Sequence, residues 1–312
     1  MLAYVTRRLW QTIPTLLGVV LLVFFLFTWV GGDPAYLLAG KISNPEQIEN
    51  IRRQLGVDRP YHVQLWIFIQ QIATGDFGES WATNEKVSAI FATRLGPSLT
   101  VLMPLLAVDT LLAIAAAMLV AYVRGSLTDR IVMIGCTVGQ SISILVYIIV
   151  FQYVLAYQLG WFPVQGWGKG FAENLLRYSV LPIIVGVIVS LAPDTRLYRT
   201  FFLDEINQDY VRTARAKGVS ENRVMWLHVL RNASIPIITH LMAELPGLLL
   251  GAFLIERFFS IPGIGREVIL AVERSDFPVI KAITVYVAFA TIVSNLLADL
   301  TYKAVDPRVQ LK

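Results

Sequence analysis

Charged side chains are scarce in this chain, and histidine and cysteine are scarcer still. Asp, Glu, Lys and Arg make up 15% of the 312 residues, against about 25% in an ordinary globular domain. The three histidines, His62, His228 and His240, fall on different segments, so no metal-ligand cluster or nucleophile triad stands out. A lone cysteine, Cys136, excludes an intrachain disulfide, and its apolar surroundings read as those of a buried, inert thiol. The net charge of +4 is small and spread between apolar runs, which excludes nucleic acid as the partner. No low-complexity linker or repeat sets off a soluble domain.

What the chain has instead is apolar length, with 56% of its residues hydrophobic. A helix needs about 20 mostly apolar residues to cross a bilayer. Six runs qualify: 9–30, 98–123, 131–157, 180–198, 235–258 and 282–302. The fourth and sixth carry polar residues near one end. The first follows Arg7 and Arg8 and has no clear small-residue cleavage site, so it is expected to be an uncleaved anchor.

Lys and Arg near the ends of membrane spans set orientation. They gather before span one (Arg7, Arg8), between spans two and three (Arg124, Arg130), after span four (Arg212, Arg215, Lys217, Arg223, Arg231) and after span six (Lys303, Arg308, Lys312). With six spans all four groups share one side, which predicts that both termini are cytoplasmic. The opposite side then holds residues 31–97, where "NPEQIENIRRQLG" and "PYHVQLWIFIQQIATGDFG" read as short amphipathic helices. Asn44 is the expected N-cap, with Pro45 in the first turn and Gly56 at the stop. Trp66, Phe68 and Trp81 suit a surface lying against the membrane.

The stretch "DYVRTARAKGVSENRVMWLHVLRN" interrupts this apolar pattern between spans four and five. Gly218 can take the left-handed conformation that ends one short helix, and Ser220 is the expected side-chain cap of the next. Val219 and Val224 stand where a hydrophobic staple would pack. Val224, Leu227, His228 and Arg231 share one side at helical spacing, with Met225 and Val229 extending the apolar surface. Two roles fit this elbow. It could hold anionic lipid through Arg212, Arg215 and Lys217 at about 1 kcal/mol each, or it could be a docking peg thinned by Ala214, Ala216 and Gly218.

Inside the spans, Asp109 should face protein or a water-filled cavity, because a charge at the bilayer centre costs about 2.5–3.5 kcal/mol. His240 and Glu244, four apart, share a helical face and read as passage lining, a helix contact or a proton relay. "GWGKG" around Lys169 is not a phosphate loop. Such a loop needs a glycine about five residues before the Gly-Lys pair and Ser or Thr after it, where this chain has Pro163 and Gly170.

The stretch "DYVRTARAKG" followed by "HVLRNA" resembles the cytoplasmic signature of ABC importer permeases of the peptide branch. The resemblance extends through "GDP" at 32–34, "QLGVDRPY" at 54–61, "GDFGES" at 75–80 and "LGWFPVQGW" at 159–167. It continues through "ERFFSIPGIGR" at 256–266, "SDFPVI" at 275–280 and "NLLADLTYKAVDPR" at 295–308. The chain thus looks like a B-type permease of dipeptide and oligopeptide importers. That implies an all-α, six-span, type I importer permease fold. Its expected parts are an anchor (1–31), an extracytoplasmic segment (32–96), a transmembrane domain (97–304) and a cytoplasmic tail (305–312).

The resemblance also implies function. The chain would form half of a passage for peptides in the inner membrane with a second, similar permease, below an extracytoplasmic binding protein. Two separate ATPase subunits would bind ATP and Mg, so this chain holds no cofactor or metal and is not an enzyme. ATPase coupling falls to Asp209, Tyr210, Arg212, Ala214, Arg215, Ala216, Lys217, Gly218, Val219, Ser220 and Arg223, and then to His228, Arg231 and Asn232. Passage lining falls to Asp109, Gln140, Ser141, Ser143, His240 and Glu244.

There are departures from the family pattern. Arg212, Thr213 and Ala214 replace the broad family's Glu-Ala-Ala, and His228 to Arg231 replace Ile-x-Leu-Pro, as in the peptide branch. "GQSISILVY" lacks the proline usual in span three, which predicts a straighter helix there. Glu256, Pro262, Gly263 and Gly265 sit where the family has a re-entrant or surface hairpin, the glycines allowing close backbone approach. The alternative from another class is a proton-coupled secondary transporter or channel using Asp109, His240 and Glu244.

Overall fold

A chain this apolar must close its backbone hydrogen bonds internally wherever water is excluded, and it does so as helices. A computed structural model describes residues 2–30, 32–39, 44–250 and 253–305. The first helices are α1 (Leu2–Phe25), continued by a π-helical turn (Leu26–Val30), then α2 (Pro34–Ala39), α3 (Pro45–Leu55) and α4 (Tyr61–Thr74). Next come α5 (Val87–Tyr122), α6 (Leu127–Ser141), α7 (Ile144–Phe151) with a π-helical end (Gln152–Gln158), α8 (Phe171–Glu173) and α9 (Val180–Ile206). The chain finishes with α10 (Asp209–Ala216), α11 (Glu221–Arg223), α12 (Leu230–Leu250), α13 (Phe253–Phe258), α14 (Ile264–Glu273) and α15 (Phe277–Val305). No strand occurs among the described residues.

Among the described residues, four helices are long and apolar enough to cross a membrane, in Thr12–Trp29, α5, α9 and Phe277–Ala298; a fifth span exists if α6 and its partner across a 92° bend count as one. The bend corrects the expectation of a straight span three. Ile142 is extended (φ −90°, ψ 130°), and Ser143 caps α7 by accepting from Leu145 N. The carbonyl of Gly139 accepts from Tyr147 Oη at 3.0 Å. A serine cap and a tyrosine hydroxyl thus produce the break without proline. The expected span 235–258 is helical on both sides of 251 and 252, in α12 and α13, and those two residues lie outside the described ones. Expectations resting on the side chains of Arg7, Arg8, Asp299, Lys303, Arg308 and Lys312 also lie outside them.

The central contact is α5 along α9. Gly186 lets them close, because a Cβ there would run into the Leu105 side chain. Around this pair α6 lies on α9, α12 on α15, and α1 on α15. At the α5–α6 turn, Asp129 Oδ2 accepts from Gly125 N at 2.9 Å and from Arg199 of α9 at 2.8 Å. Cys136 is half-buried rather than enclosed.

The segment before α5 carries the two expected short helices. Pro45 opens α3, Gln47 Oε1 accepts from Asn44 N at 3.4 Å, and Gly56 ends the helix at φ 67°. Arg52 donates to Asp33 through Nε at 2.7 Å. Of the three aromatics assigned to a membrane-facing surface, Trp66 is exposed but Phe68 is buried in a cluster with α1 and α15. Trp81 packs edge-on against Phe277, 5.6 Å between ring centres. Its loop is anchored by buried Asp276, which accepts from Ser80 Oγ and from Trp81 N at 3.1 Å.

A second buried carboxylate locks α13 and α14 to α5. Glu256 accepts from Ser98 Oγ at 2.7 Å and from Arg266 N at 2.9 Å, while Ser98 Oγ accepts from Ile264 N at 2.8 Å. Gly263 has the close approach its sequence context suggests, since a Cβ there would overlap both Glu256 and Ser98.

Two stability outcomes follow from these locks. Gly263→Val should lower the melting temperature of the detergent-solubilised chain by several degrees, since overpacking costs about 1–3 kcal/mol; an unchanged melt would exclude the tight approach. Arg199→Ala strips buried Asp129 of its cation and should cost about 2 kcal/mol, with Arg199→Lys regaining part. Equal melting of wild type and Arg199→Ala would contradict that pairing.

Candidate functional site

The elbow is built from the end of α9 outward. Asp209 opens α10 and the backbone turns at Gly218, whose φ of +76° is the left-handed conformation expected of it. Val219 N then returns to Ala214 O at 3.2 Å. Ser220 occupies the N-cap position of α11, but its side chain makes no cap bond; its carbonyl accepts from Val224 N at 2.9 Å instead. The side-chain cap expected from sequence is therefore absent. Across the turn, Arg215 grips Glu221 through two bonds of 2.7 and 3.1 Å, a bidentate staple between α10 and α11.

After α11 the helix widens into a π-helical turn, Val224–Val229, before α12. This shifts the apolar face. Val224, Met225 and Val229 are buried, whereas Leu227 and Trp226 are exposed, so the side expected to hold Val224 with Leu227 is not the one that packs. The buried set joins Val211, Ala214, Ala233 and Ile237 with Tyr198 and Phe202 of α9 and Ala113, Ala117 and Ala121 of α5 in one core, against which Val219 also rests. Val219 and Val224 thus meet as a staple would require.

Beside exposed Trp226 and Leu227, the outer surface of the elbow is mostly polar. Asp209, Arg212, Ala216, Lys217, Gly218, Ser220 and Arg223 are exposed, and so is Arg231. Arg212 pairs with Asp209 at 3.3 Å, and Asn232 Nδ2 donates to His228 O at 2.9 Å. Tyr210 donates its hydroxyl to Glu205. Partial burial first, and then this bond, push the phenol up to about 12, so Tyr210 keeps its proton at neutral pH.

A second polar site lies inside the helical bundle. His240 Nε2 of α12 is 3.3 Å from Asp194 Oδ1 of α9 and 3.3 Å from Glu244 Oε1 one turn along. Asp109 of α5 interacts with Asp194 and with the charge of Glu244. The Tyr198 ring meets the imidazole edge-on at 5.7 Å. Asp109 and Asp194 are buried, while Glu244 is half exposed at 41%.

Of the six residues assigned to the passage, Asp109, His240 and Glu244 come together. Gln140, Ser141 and Ser143 form a separate group at the α6–α7 bend. There Arg196 donates to Gln140 Oε1 at 2.7 Å and Ser141 bonds back to Thr137 O at 2.9 Å. Sequence reasoning missed Asp194, the residue that joins α9 to the cluster. A signal was available: "LAPDTR" places an acid inside the fourth apolar run, where the rule applied to Asp109 would have marked it.

Comparison with known proteins places the chain in a family. Residues 110–311 match the family described as binding-protein-dependent transport system inner membrane component, and residues 1–102 match the N-terminal part of such components. The chain is 36% identical over 312 residues, covering all of both chains, to glutathione transport system permease proteins GsiC of Salmonella choleraesuis (strain SC-B67) and of Escherichia coli (strain K12). With the matched family spanning well over half of the sequence and a polar elbow interrupting its bundle of apolar helices, the chain belongs to the inner membrane components of binding-protein-dependent, ABC-type transport systems.

Proposed function

We propose that this chain is the permease subunit of an ATP-driven importer of short peptides in a bacterial inner membrane, with both termini cytoplasmic. Glutathione, which the similar GsiC proteins are named for, falls within that cargo class. In this reading the chain pairs with a second homologous permease. Two ATPase subunits carry ATP and Mg, and an extracytoplasmic binding protein delivers peptide. The chain itself performs no chemistry.

The observation that carries the reading is the elbow. Its exposed face is polar and largely basic, its two short helices are stapled by Arg215 and Glu221, and its buried face belongs to the same core as α5, α9 and α12. A partner that displaces α10 and α11 therefore displaces the helices beneath them, because a close-packed interior transmits strain rather than absorbing it. Tyr198 extends that core to His240, so one face of α9 runs from the elbow to the polar cluster within the bundle. Asp109, His240 and Glu244 then belong to the passage, with Glu244 at its half-exposed end and Asp109 buried.

Gly218 offers the direct test. A Cβ there meets nothing in this chain, so bulk at this position protrudes into whatever docks, although φ +76° adds backbone strain for any non-glycine residue. Gly218→Ala controls for that strain. Gly218→Trp, assembled with the partner subunits in proteoliposomes, should insert normally and retain basal ATP hydrolysis. Its ATP-dependent peptide uptake should fall at least tenfold below that of Gly218→Ala. Uptake equal to wild type, or uptake that persists without ATP on a proton gradient alone, would refute the proposal.

A further inference from the structure

The polar cluster inside the bundle gathers carboxylates at one imidazole. Two carboxylates, Asp194 and Glu244, face the His240 imidazole, and a third, Asp109, interacts with Asp194. No Lys or Arg among the described residues pairs with them. Arg196 and Arg199, the nearest cations along α9, turn to Gln140 and Asp129 instead. A single imidazole Nε2 carries at most one proton, yet two carboxylate oxygens face it at the same 3.3 Å. One N–H serves one of them well and leaves the other without a donor.

Asp109 is the independent observation that points to a ligand. It is 2% exposed, it adjoins Asp194 and Glu244, and its Oδ1 has no hydrogen-bond partner. Other buried polar atoms of this chain also lack partners, Asp129 Oδ1 and Ser179 Oγ among them, but Asp109 Oδ1 differs in belonging to a side chain that adjoins a set of possible metal ligands. The spacing suits an ion. Ligand atoms about 2.1 Å from a tetrahedral metal lie about 3.4 Å from one another. The Asp194, His240 and Glu244 donor atoms all fall within 4.8 Å of one another, with the two imidazole separations at 3.3 Å.

We propose that Asp109, Asp194, His240 and Glu244 form a binding site for one divalent transition-metal cation within the membrane bundle. One imidazole nitrogen with two or three carboxylate oxygens selects borderline ions such as Zn²⁺, Co²⁺ or Mn²⁺. Copper(I), which prefers sulfur, is disfavoured, and so are Mg²⁺ and Ca²⁺, which prefer all-oxygen shells. The ion would join α5, α9 and α12 at one point. Half-exposed Glu244 marks the side from which it enters.

The test uses the full-length chain in nanodiscs, with any affinity tag removed, stripped by chelator and titrated with Co²⁺ as a spectroscopic probe. Wild type should take up one Co²⁺ per chain with ligand-field bands of nitrogen and oxygen coordination, and Zn²⁺ should displace it. His240→Ala and Asp194→Asn should weaken Co²⁺ binding at least thirtyfold, while His228→Ala, outside the cluster, should bind as wild type does. If Asp194→Asn fails to insert, Glu244→Gln at the accessible rim should weaken binding at least fivefold. Zn²⁺ should also raise the melting temperature of wild type by several degrees and leave that of His240→Ala unchanged. Binding to wild type within threefold of His240→Ala would overturn the site, as would capture of an organic amine with no metal uptake.

Discussion

The close packing of α9 on α5 is the constraint on which the rest of the chain depends. It requires Gly186 beneath Leu105, and it fixes three residues of α9 at four-residue intervals, Asp194, Tyr198 and Phe202, against the helices beside them. Phe202 and Tyr198 enter the elbow core, Tyr198 also meets His240, and Asp194 closes the polar cluster. Elbow and cluster are therefore two ends of one helix face. A larger residue at Gly186 would push α9 away from α5 and strain both ends of that face at once.

Buried carboxylates divide into two kinds in this molecule. Glu256, Asp276 and Asp129 each collect two donors, from backbone N–H groups together with a hydroxyl or a guanidinium, and each ties a loop or short helix to a long one. These groups act as fasteners, because a buried carboxylate that accepts two hydrogen bonds from another element holds that element in place. Asp109, Asp194 and Glu244 are different. Asp194 and Glu244 face one imidazole, and Asp109 interacts with Asp194. With a single imidazole between two of them, these acids lack the fastening bonds of the first kind.

The local features were legible in the sequence because each depends on a few adjacent residues. Gly218 and Gly56 take positive φ where a helix must stop, Pro45 starts a helix after Asn44, and the short amphipathic segments fold as helices. Apolar length identified the long helices, and the blocks shared with importer permeases identified the family. Features that depend on distant partners were not legible. The bend at Ile142 arises from a tyrosine hydroxyl five residues on reaching back to Gly139, which no proline announces. The π-helical turn after Arg223 rotates the following side chains relative to ideal helical spacing, which is why Leu227 was assigned to the wrong side. Asp194 escaped notice because a polar residue late in an apolar run resembles a span boundary, and only the arrival of α12 beside it reveals the cluster.

In the proposed coupling role, the elbow's own bonds would let so small a structure carry force. Alone, the exposed Arg215–Glu221 pair contributes no more than about 1 kcal/mol to stability. What it adds is stiffness at one point, because it spans the only turn between α10 and α11 and the glycine there would otherwise be a free hinge. The stabilisation itself comes from below, from Val211, Ala214, Val224, Met225 and Val229 packed against α5 and α9. A surface that is polar outside, stapled at its hinge and apolar beneath moves as a unit with the helices it sits on. Its displacement therefore reaches Tyr198 and His240 without any new contact being made.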